Sequence, residues 1–249
     1  MFGSTLFGSN GPTSDDSLLE RLGPLQLLAG EMIAAVPHPP GPLVQALLAL
    51  AESATITLGA IENLVRNGFG KDALSLSRSV FECTVSATYL RSDPSRAFDY
   101  LEFPKVVRKA FAGWLETDPA MASRLGPAFF AAVDSEYASV AQRFGTKSGK
   151  PRNQWHQVQI RQMANRTELQ YLYNCLYPVM CAATHNGFLL TNPGAETNAS
   201  DMGGLAANSA VLFGVMCLFE LEDECQLGFE IRLKGVIGMS PTPGGTPAP

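Results

Sequence analysis

The chain has 249 residues, of which 46% are hydrophobic and 16% are charged, so it can form a sizeable core in which several helices are buried nearly all round. Its formal net charge of −5 excludes a globally basic nucleic-acid-binding protein, although not a local basic patch. The cysteines are odd in number and irregular in spacing, with no C-x-x-C. This pattern argues against a disulfide framework and a structural zinc site and predicts free thiols at Cys83, Cys175, Cys181, Cys217 and Cys225.

The two ends of the chain have the composition of disordered tails. Residues 1–14 are rich in Gly, Ser and Thr, and residues 238–249 end in PTPGGTPAP, so we expect one helical domain over residues 15–237 between them. The first 17 residues lack the basic start and apolar run of a signal peptide, which predicts a cytoplasmic protein.

An uncharged stretch runs from Met202 to Phe219 and has the length of a short membrane span. It contains Gly203 and Gly204 together with Asn208 and Ser209, so we interpret it as a buried core helix. A membrane span is the alternative, but we expect no stable membrane association.

Apolar residues recur at helical spacing and hardly ever alternate as in strands, which predicts an all-α, single-domain helical bundle of about seven or eight helices. Several of these helices contain a proline that would kink or break them. Short connections, such as the one containing Gly68 and Gly70, favour antiparallel neighbours. In chain order the predicted helices are Asp15–Val36 with a break at Pro24, Leu43–Asn67, Lys71–Ser92, Ser95–Thr117 with a kink at Pro104, Pro119–Phe144 with a kink at Pro127, Trp155–Asn165, Thr167–Phe188 and 202–234.

The predicted helix from Lys71 to Ser92 has apolar or small residues on most of its surface, which is typical of a helix inside a bundle. Arg78 and Glu82 are its only charges between Asp72 and Arg91, and they lie four residues apart on one face. Charges in such a position are rarely buried unless they are paired. Either the pair fixes helix packing, or Arg78 binds an anion while Glu82 serves as a base or an orienting partner.

A polar and aromatic stripe follows on the predicted helix from Thr167 to Phe188, at intervals of four residues: Tyr173, Tyr177, Cys181 and His185. Pro178 removes one backbone hydrogen bond, and a kink beside Tyr177 would open space for a ligand or water. His185 is either a satisfied core residue or a proton shuttle at neutral pH. The candidate catalytic residues are therefore Arg78, Glu82, Tyr177 and His185.

Charge is unevenly distributed in the second half of the chain. From Tyr137 to Thr167 all charged residues are basic, and from Glu196 to Glu230 all are acidic. These segments are either solvated faces, or the acidic one pairs with the basic one, within the chain or in a homodimer. In a functional interpretation, the basic segment binds an anionic ligand through Lys147, Lys150, Arg152 and Arg161.

Three elements in this order resemble a known family: ALSLSRSVFECTVSATYLRSDP at 73–94, Trp155, and YLYNCLYPVMCAATHNG at 171–187. An Arg-Ser-x-x-Glu helix followed by a Tyr-x-x-x-small-x-x-x-His helix is similar to mostly uncharacterised, all-helical bacterial proteins grouped under a domain of unknown function. The resemblance covers about residues 45–190 and implies a helical bundle with a shared polar site at Arg78, Glu82, Tyr177 and His185. A serine is common in the family where Cys181 stands, and the resemblance implies no established activity.

Motifs for cofactors and metals are absent from the sequence. GFGKD at 68–72 lacks the spacing of a phosphate-binding loop, and there is neither a G-x-S-x-G nor an H-E-x-x-H. We therefore expect no cofactor and no metal. A metal site would need Glu82 and His185, with His156 as a further candidate.

Two functions remain open. A binding or interaction module would use the polar residues to hold a small anionic ligand or RNA, or only to specify packing. The alternative is a hydrolase or RNase-like enzyme of the kind found in toxin–antitoxin or phage-defence systems, with His185 as acid–base, Glu82 as its partner and Arg78 as a phosphate clamp.

The helical RNases of those systems carry Arg and His four to six residues apart on one helix. Here Arg152 and His156 are too close together, and Arg78 and His185 lie on different predicted helices. An enzyme requires Arg78, Glu82 and His185 to converge on an open pocket, whereas a packing network would be closed and fully paired.

Overall fold

The computed structural model describes residues 16–145, 152, 154–156, 158–185 and 199–238. Over these residues the chain forms ten α-helices and no β-strand, which confirms the predicted all-α bundle. The predicted tail at 1–14, and all but residue 238 of the one at 238–249, lie outside the described residues. The helices are α1 (Asp16–Ala35), α2 (Pro42–Arg66), α3 (Gly70–Arg91), α4 (Ala97–Glu116), α5 (Pro119–Ala138), α6 (Ala141–Phe144), α7 (Ile160–Arg166), α8 (Gln170–Thr184), α9 (Ala199–Cys225) and α10 (Glu230–Val236).

Helix α3 lies at the centre of the bundle. It packs against α2 and α9 on one side and against α7 and α8 on the other. Helix α1 covers α2 and α9, and α10 returns onto α1. Helices α4 and α5 pack against each other, and α4 contacts the bundle at α2. Together with α6 they have a small core of their own around Val106, Val140 and Phe144.

Two buried hydroxyls join α3 to α9. Ser77 Oγ donates to the Ala206 carbonyl at 3.2 Å, and Thr84 Oγ1 donates to the Phe213 carbonyl at 2.8 Å. Both bonds link residues 129 positions apart, so the two helices run parallel in a constant register. The register brings buried polar groups together in satisfied pairs, which is how a bundle interior accommodates hydroxyls.

A glycine allows α9 to approach its neighbours closely. A Cβ at Gly214 would lie 2.9 Å from Leu58 Cδ1 and 3.1 Å from Leu25 Cδ2. A side chain there would force Leu58 and Leu25 to move, because these distances are shorter than ordinary van der Waals contacts.

The structure contradicts the predicted effect of one proline and confirms that of another. The predicted break at Pro24 is wrong, since α1 continues through it, and Pro24 is exposed so that water can solvate the carbonyl it leaves unpaired. The predicted kink near Pro127 is present at Gly126, whose φ of 76° interrupts α5. The α region is disfavoured for a residue before proline, and glycine adopts the alternative at no steric cost.

Other helix boundaries also differ from the predictions. The predicted helix Pro119–Phe144 is divided into α5 and α6, since α5 ends at Ala138. Helix α7 begins only at Ile160, so Arg152, Trp155 and His156 precede the helix rather than lying on or beside it. The predicted helix over 202–234 is divided, because α9 ends at Cys225 and Gly228 has a φ of 85°. Glu222 Oε1 accepts hydrogen bonds from the backbone N–H groups of Gly228 and Phe229 at 2.8 and 3.1 Å, and this cap stabilises the turn.

The acidic residues near the end of α9 pair within the bundle. Arg91 Nη1 lies 2.8 Å from Glu220 Oε2 and 3.0 Å from Asp223 Oδ2. The parallel register of α3 and α9 brings these groups together. Among the described residues, the partner of this acidic cluster is therefore α3 and not the basic segment between Tyr137 and Thr167.

Helix α2 and residues 201–225 of α9 are long and apolar enough to cross a membrane, by length and composition only. In α9, 67% of the apolar window is buried inside the bundle, compared with 39% in α2. Core helices of globular proteins satisfy the same criterion, so the two helices are weak evidence for a membrane span.

Candidate functional site

The site lies where α8 packs along α3. Phe81 is fully buried between α8 and α9, with its ring centre 5.6 Å from that of Tyr177 and 4.8 Å from that of Phe213. Tyr173 stacks on Tyr177 with centroids 4.7 Å apart. This aromatic cluster fixes the ring of Tyr177 and directs its hydroxyl toward the polar face of α3.

Arg78, Glu82 and Tyr177 form one hydrogen-bonded network. Arg78 Nε donates to Glu82 Oε1 at 2.8 Å, and the Tyr177 hydroxyl donates to the same oxygen at 2.7 Å. The guanidinium carbon of Arg78 also lies 5.1 Å from the centre of the Tyr177 ring. Burial and the hydrogen bond to Glu82 both raise the pKa of Tyr177, so its hydroxyl stays a donor at neutral pH.

The inner atoms of this network bond to one another, whereas its outer atoms face solvent. The side chains of Arg78 and Glu82 are 29% and 39% exposed, while Tyr177 is 7% exposed. Within the described part of the chain, the two terminal amino groups of Arg78 and Oε2 of Glu82 have no hydrogen-bond partner. The network is therefore not a closed packing device, since donors and an acceptor remain available side by side.

His185 does not join this network. It follows the last residue of α8, it is exposed, and its backbone N–H bonds to the Cys181 carbonyl at 3.0 Å. Eight residues separate it from Tyr177, or about 12 Å along a helix. Among the described residues its side chain makes no contact with Arg78, Glu82 or Tyr177, so the structure does not bring the predicted four-residue set together.

His156 lies within electrostatic range of Glu82. Burial lowers the pKa of His156 below its ordinary value of 6.5, and the positive charge of Arg152 acts in the same direction. The Val158 backbone and the negative charge of Glu82 oppose that shift. Nδ1 of His156 is buried without a hydrogen-bond partner. In the sequence this histidine stands out only as a further metal-ligand candidate, because nothing in its spacing relates it to Glu82.

Two of the four basic residues predicted to bind an anion, Arg152 and Arg161, lie in the described part of the chain. Arg152 is half-buried with its guanidinium carbon 5.1 Å from the centre of the Phe144 ring, and one of its amino groups donates to the Arg143 carbonyl. Arg161 is exposed on α7. Lys147 and Lys150 lie outside the described residues.

Comparison with known proteins places the chain in a family. Residues 45–196 match the model of a family described as a family of unknown function (DUF5677). The chain belongs to the DUF5677 family. This confirms the predicted membership of a family of unknown function, and the match spans α2 to α8 with Arg78, Glu82, His156 and Tyr177. No curated protein and no solved structure matches the chain.

The possible metal ligands do not come together in the part of this DUF5677 chain that the structure describes. No three His, Cys, Asp or Glu side chains form a group that could hold a metal ion there. The combination of Glu82, His185 and His156 fails because His185 lies at the far end of α8, away from Glu82.

All five cysteines are free thiols, as predicted. Burial raises the pKa of Cys83 to about 11, and it also raises the pKa of Cys217. Since the thiolate is the reactive form, neither side chain is suited to nucleophilic chemistry at neutral pH.

The buried tyrosines make an alkaline titration informative. Burial raises the pKa of Tyr100 to about 12, above its value of about 10 in an unfolded chain. A raised native pKa favours the protonated form, so its contribution to stability is complete below pH ~10 and is lost as pH rises toward 12. Because the pKa of Tyr177 is raised as well, we expect tyrosinate absorbance of the wild type to lack the early titration of both residues, and Tyr100→Phe to remove one late-titrating group without changing the early ones. Ionisation of Tyr100 near pH 10 in protein with native circular dichroism would contradict this.

Proposed function

We propose that this protein is a bacterial, cytoplasmic binding module whose site at Arg78, Glu82 and Tyr177 holds a small anionic ligand. One observation supports this above all. Arg78 and Tyr177 share a single oxygen of Glu82, at 2.8 and 2.7 Å. Among the described residues this leaves the outer amino groups of Arg78 and the second oxygen of Glu82 without partners at a partly exposed surface.

The arrangement prepares Arg78 to bind an anion. The bond from Nε to Glu82 and the Tyr177 ring beneath the guanidinium hold its plane in one orientation. The two terminal amino groups of a guanidinium form a fork that matches the oxygens of a carboxylate or phosphate. A side chain that is already oriented loses little conformational freedom on binding, which favours affinity. Glu82 Oε2 is then available to accept a hydrogen bond from a ligand hydroxyl or amine.

This geometry favours binding over catalysis by the predicted enzyme residues. The hydrolase or RNase-like alternative uses His185 as acid–base next to Glu82, and that contact is not formed. RNA binding also has less support than a small ligand, because the described basic residues of the 143–166 segment are directed to different partners. A homodimer remains part of the proposal, but Glu220 and Asp223 are occupied by Arg91 and would not form its interface.

The test is a titration with small anions, led by inorganic phosphate and acetate, at low ionic strength and followed by calorimetry. We expect Arg78→Gln to weaken binding by about tenfold or more, which corresponds to about 1.4 kcal/mol or more. The matched control is Arg66→Gln, because Arg66 forms the same kind of four-residue ion pair with Glu62, at 2.7 Å, on α2. This control should bind anions like the wild type.

Two results would contradict the proposal. One is that no anion of the panel binds to the wild type. The other is that His185→Ala removes anion binding as completely as Arg78→Gln, since His185 lies outside the network.

Expression in a bacterial host adds a separate criterion. If the wild type degrades RNA and equally soluble His185→Ala does not, the RNase-like alternative replaces the binding module.

A further inference from the structure

We propose that two copies of this chain associate through an apolar stripe on α4, formed by Val107, Phe111 and Trp114. These side chains are 53, 57 and 78% exposed, and each copy presents the same stripe to the other around a two-fold axis. The inference rests on the homodimer included in the proposed function and names its surface. No residue of the stripe belongs to the anion site on α3 and α8, so either proposal can fail without the other.

The stripe continues a face of α4 that is already packed against the bundle. Tyr100, Val107, Phe111 and Trp114 follow one another at intervals of seven, four and three residues, which places them on one side of the helix. Tyr100 packs against the main core, and its ring centre lies 5.2 Å from that of Trp155. The same face is exposed from Val107 onward. A helix face that is covered at one end and exposed at the other has room for a further partner.

Helix α5 extends the apolar surface beside the stripe. Two ion pairs, Lys109–Asp134 and Arg108–Glu136, align α4 and α5 antiparallel. In this alignment residues 128–132 of α5 lie level with residues 111–115 of α4. The exposed side chains of that part of α5 are small and apolar: Ala128, Ala131 and Ala132.

The charges near the stripe favour a second copy over an anionic membrane. A helix that binds anionic lipid uses Lys and Arg side chains that are free to reach the headgroups. The three cations beside the stripe instead have carboxylate partners within the chain: Lys105 with Glu102, Arg108 with Glu136 and Lys109 with Asp134.

The distribution of charge also indicates where two copies can approach. Each copy has a formal net charge of −5, so two copies repel each other on average. Residues 110–115 and 125–133 contain no charged side chain. A contact at this end of α4 and α5 therefore places no like charges together.

The stripe is complementary to itself when the two α4 helices run antiparallel. With Phe111 on the two-fold axis, Val107 lies opposite the partner's Leu115, and Arg108 lies opposite the partner's Trp114. An arginine over a tryptophan ring is a favourable cation–π pair. In this register no charged side chain between Lys105 and Glu116 lies opposite a like charge.

The exposed area suits a dimer of moderate affinity. The three side chains present on the order of 400 Å² of apolar surface, which is a large patch for a single copy. A standard interface covers about 800 Å² of each partner, so the stripe supplies about half of one. The exposed alanines of α5 and the polar edges of α4 add to it. We therefore expect a dissociation constant on the order of micromolar.

The experiment measures the mass of the full-length protein by sedimentation equilibrium from about 1 to about 300 μM, a range that spans this dissociation constant. We expect Trp114→Glu to raise the dissociation constant at least about thirtyfold, because each dimer loses two aromatic anchors and gains two unpaired charges. The matched control is Phe98→Glu on the same helix, where the side chain is 56% exposed. Phe98 precedes Val107 by nine residues, which is half a turn away from the stripe, so this variant should dimerise like the wild type.

Both variants should bind anions like the wild type, since neither residue belongs to the site on α3 and α8. The stripe is exposed in a single copy, so substitutions in it change association and not the unfolding of one dilute copy.

A second measurement does not depend on the folding of Trp114→Glu. The chain has two tryptophans, so Trp155→Phe leaves Trp114 as the one indole. Its emission should shift to shorter wavelength as the protein is concentrated, and its quenching by acrylamide should fall. An indole that stays equally accessible at every concentration contradicts the inference.

Three results of the sedimentation experiment would also overturn it. The first is a wild type that stays monomeric over the whole range. The second is a dimer that Trp114→Glu leaves intact, since the interface then lies elsewhere. The third is a monomeric wild type that binds vesicles of phosphatidylglycerol and phosphatidylcholine while Trp114→Glu does not, which assigns the stripe to a membrane surface. Anion binding by the wild type and its loss in Arg78→Gln are measured separately, so the anion site is tested independently of all three.

Discussion

Replacing Phe81 by alanine is expected to reduce the free energy of unfolding by about 3–5 kcal/mol, the usual cost of removing a fully buried phenylalanine. Its ring lies between α8 and α9, 5.6 Å from Tyr177 and 4.8 Å from Phe213. The substitution removes both contacts and leaves a cavity at the centre of the bundle. Denaturant unfolding followed by circular dichroism measures the loss.

The same substitution should also weaken anion binding, although Phe81 does not reach the outer side of the network. Its ring supports Tyr177, whose hydroxyl orients Glu82. The matched control is Phe111→Ala on α4, where the side chain is 57% exposed, so we expect a change within about 0.5 kcal/mol and unchanged anion binding. A similar small effect of both substitutions would contradict the central position of Phe81.

Replacing Tyr177 by phenylalanine is expected to reduce the free energy of unfolding by about 1–2 kcal/mol and to weaken anion binding. The substitution preserves the ring and removes only the hydroxyl that donates to Glu82 at 2.7 Å. Hydrogen bonds to charged groups contribute about 1.5–3 kcal/mol. We expect a smaller loss of unfolding free energy here, because Glu82 is 39% exposed and keeps its bond to Arg78. Glu82 would then be held from one side only, so Arg78 would be less well oriented for a ligand.

Tyr173→Phe provides the comparison on the same helix face. Tyr173 stacks on Tyr177 at 4.7 Å, and its hydroxyl makes no hydrogen bond within the described residues. We expect this substitution to leave both the free energy of unfolding and anion binding nearly unchanged. If the two phenylalanine variants lose equal affinity, the hydroxyl of Tyr177 has no special role and the packing of the tyrosine pair accounts for the effect.

Helix α3 has a structural role on its buried faces, and the proposed function gives its polar face a binding role. Its buried hydroxyls at Ser77 and Thr84 bond to carbonyls of α9 and fix the core. Its polar face carries Arg78 and Glu82, which α8 completes with Tyr177. Because a fully packed helix moves little, the side chains on its open face are held in the positions that ligand binding requires.

Local rules allowed the helices and the Arg78–Glu82 pair to be predicted from the sequence. Apolar spacing identified α2, α3 and α8, and residues four apart on a helix lie on one face whatever the surroundings, so the ion pair required no tertiary information. The division between α9 and α10 was not predictable in this way. It depends on a cap from Glu222 to backbone groups six and seven residues later, which periodicity does not encode.

The completed site was decided by tertiary packing. Tyr177 and His185 follow the same four-residue spacing in the sequence, but α8 packs on α3 at Tyr177 and ends at Thr184, so of these two only Tyr177 bonds to Glu82. His156 comes within range of Glu82 because Trp155 packs against Tyr89 and Tyr100, on two other helices. The sequence by itself determined the helices and the polar face of α3. Only the packing of distant segments determined which side chains meet there, since contacts across a bundle depend on the relative positions of whole helices and not on local spacing.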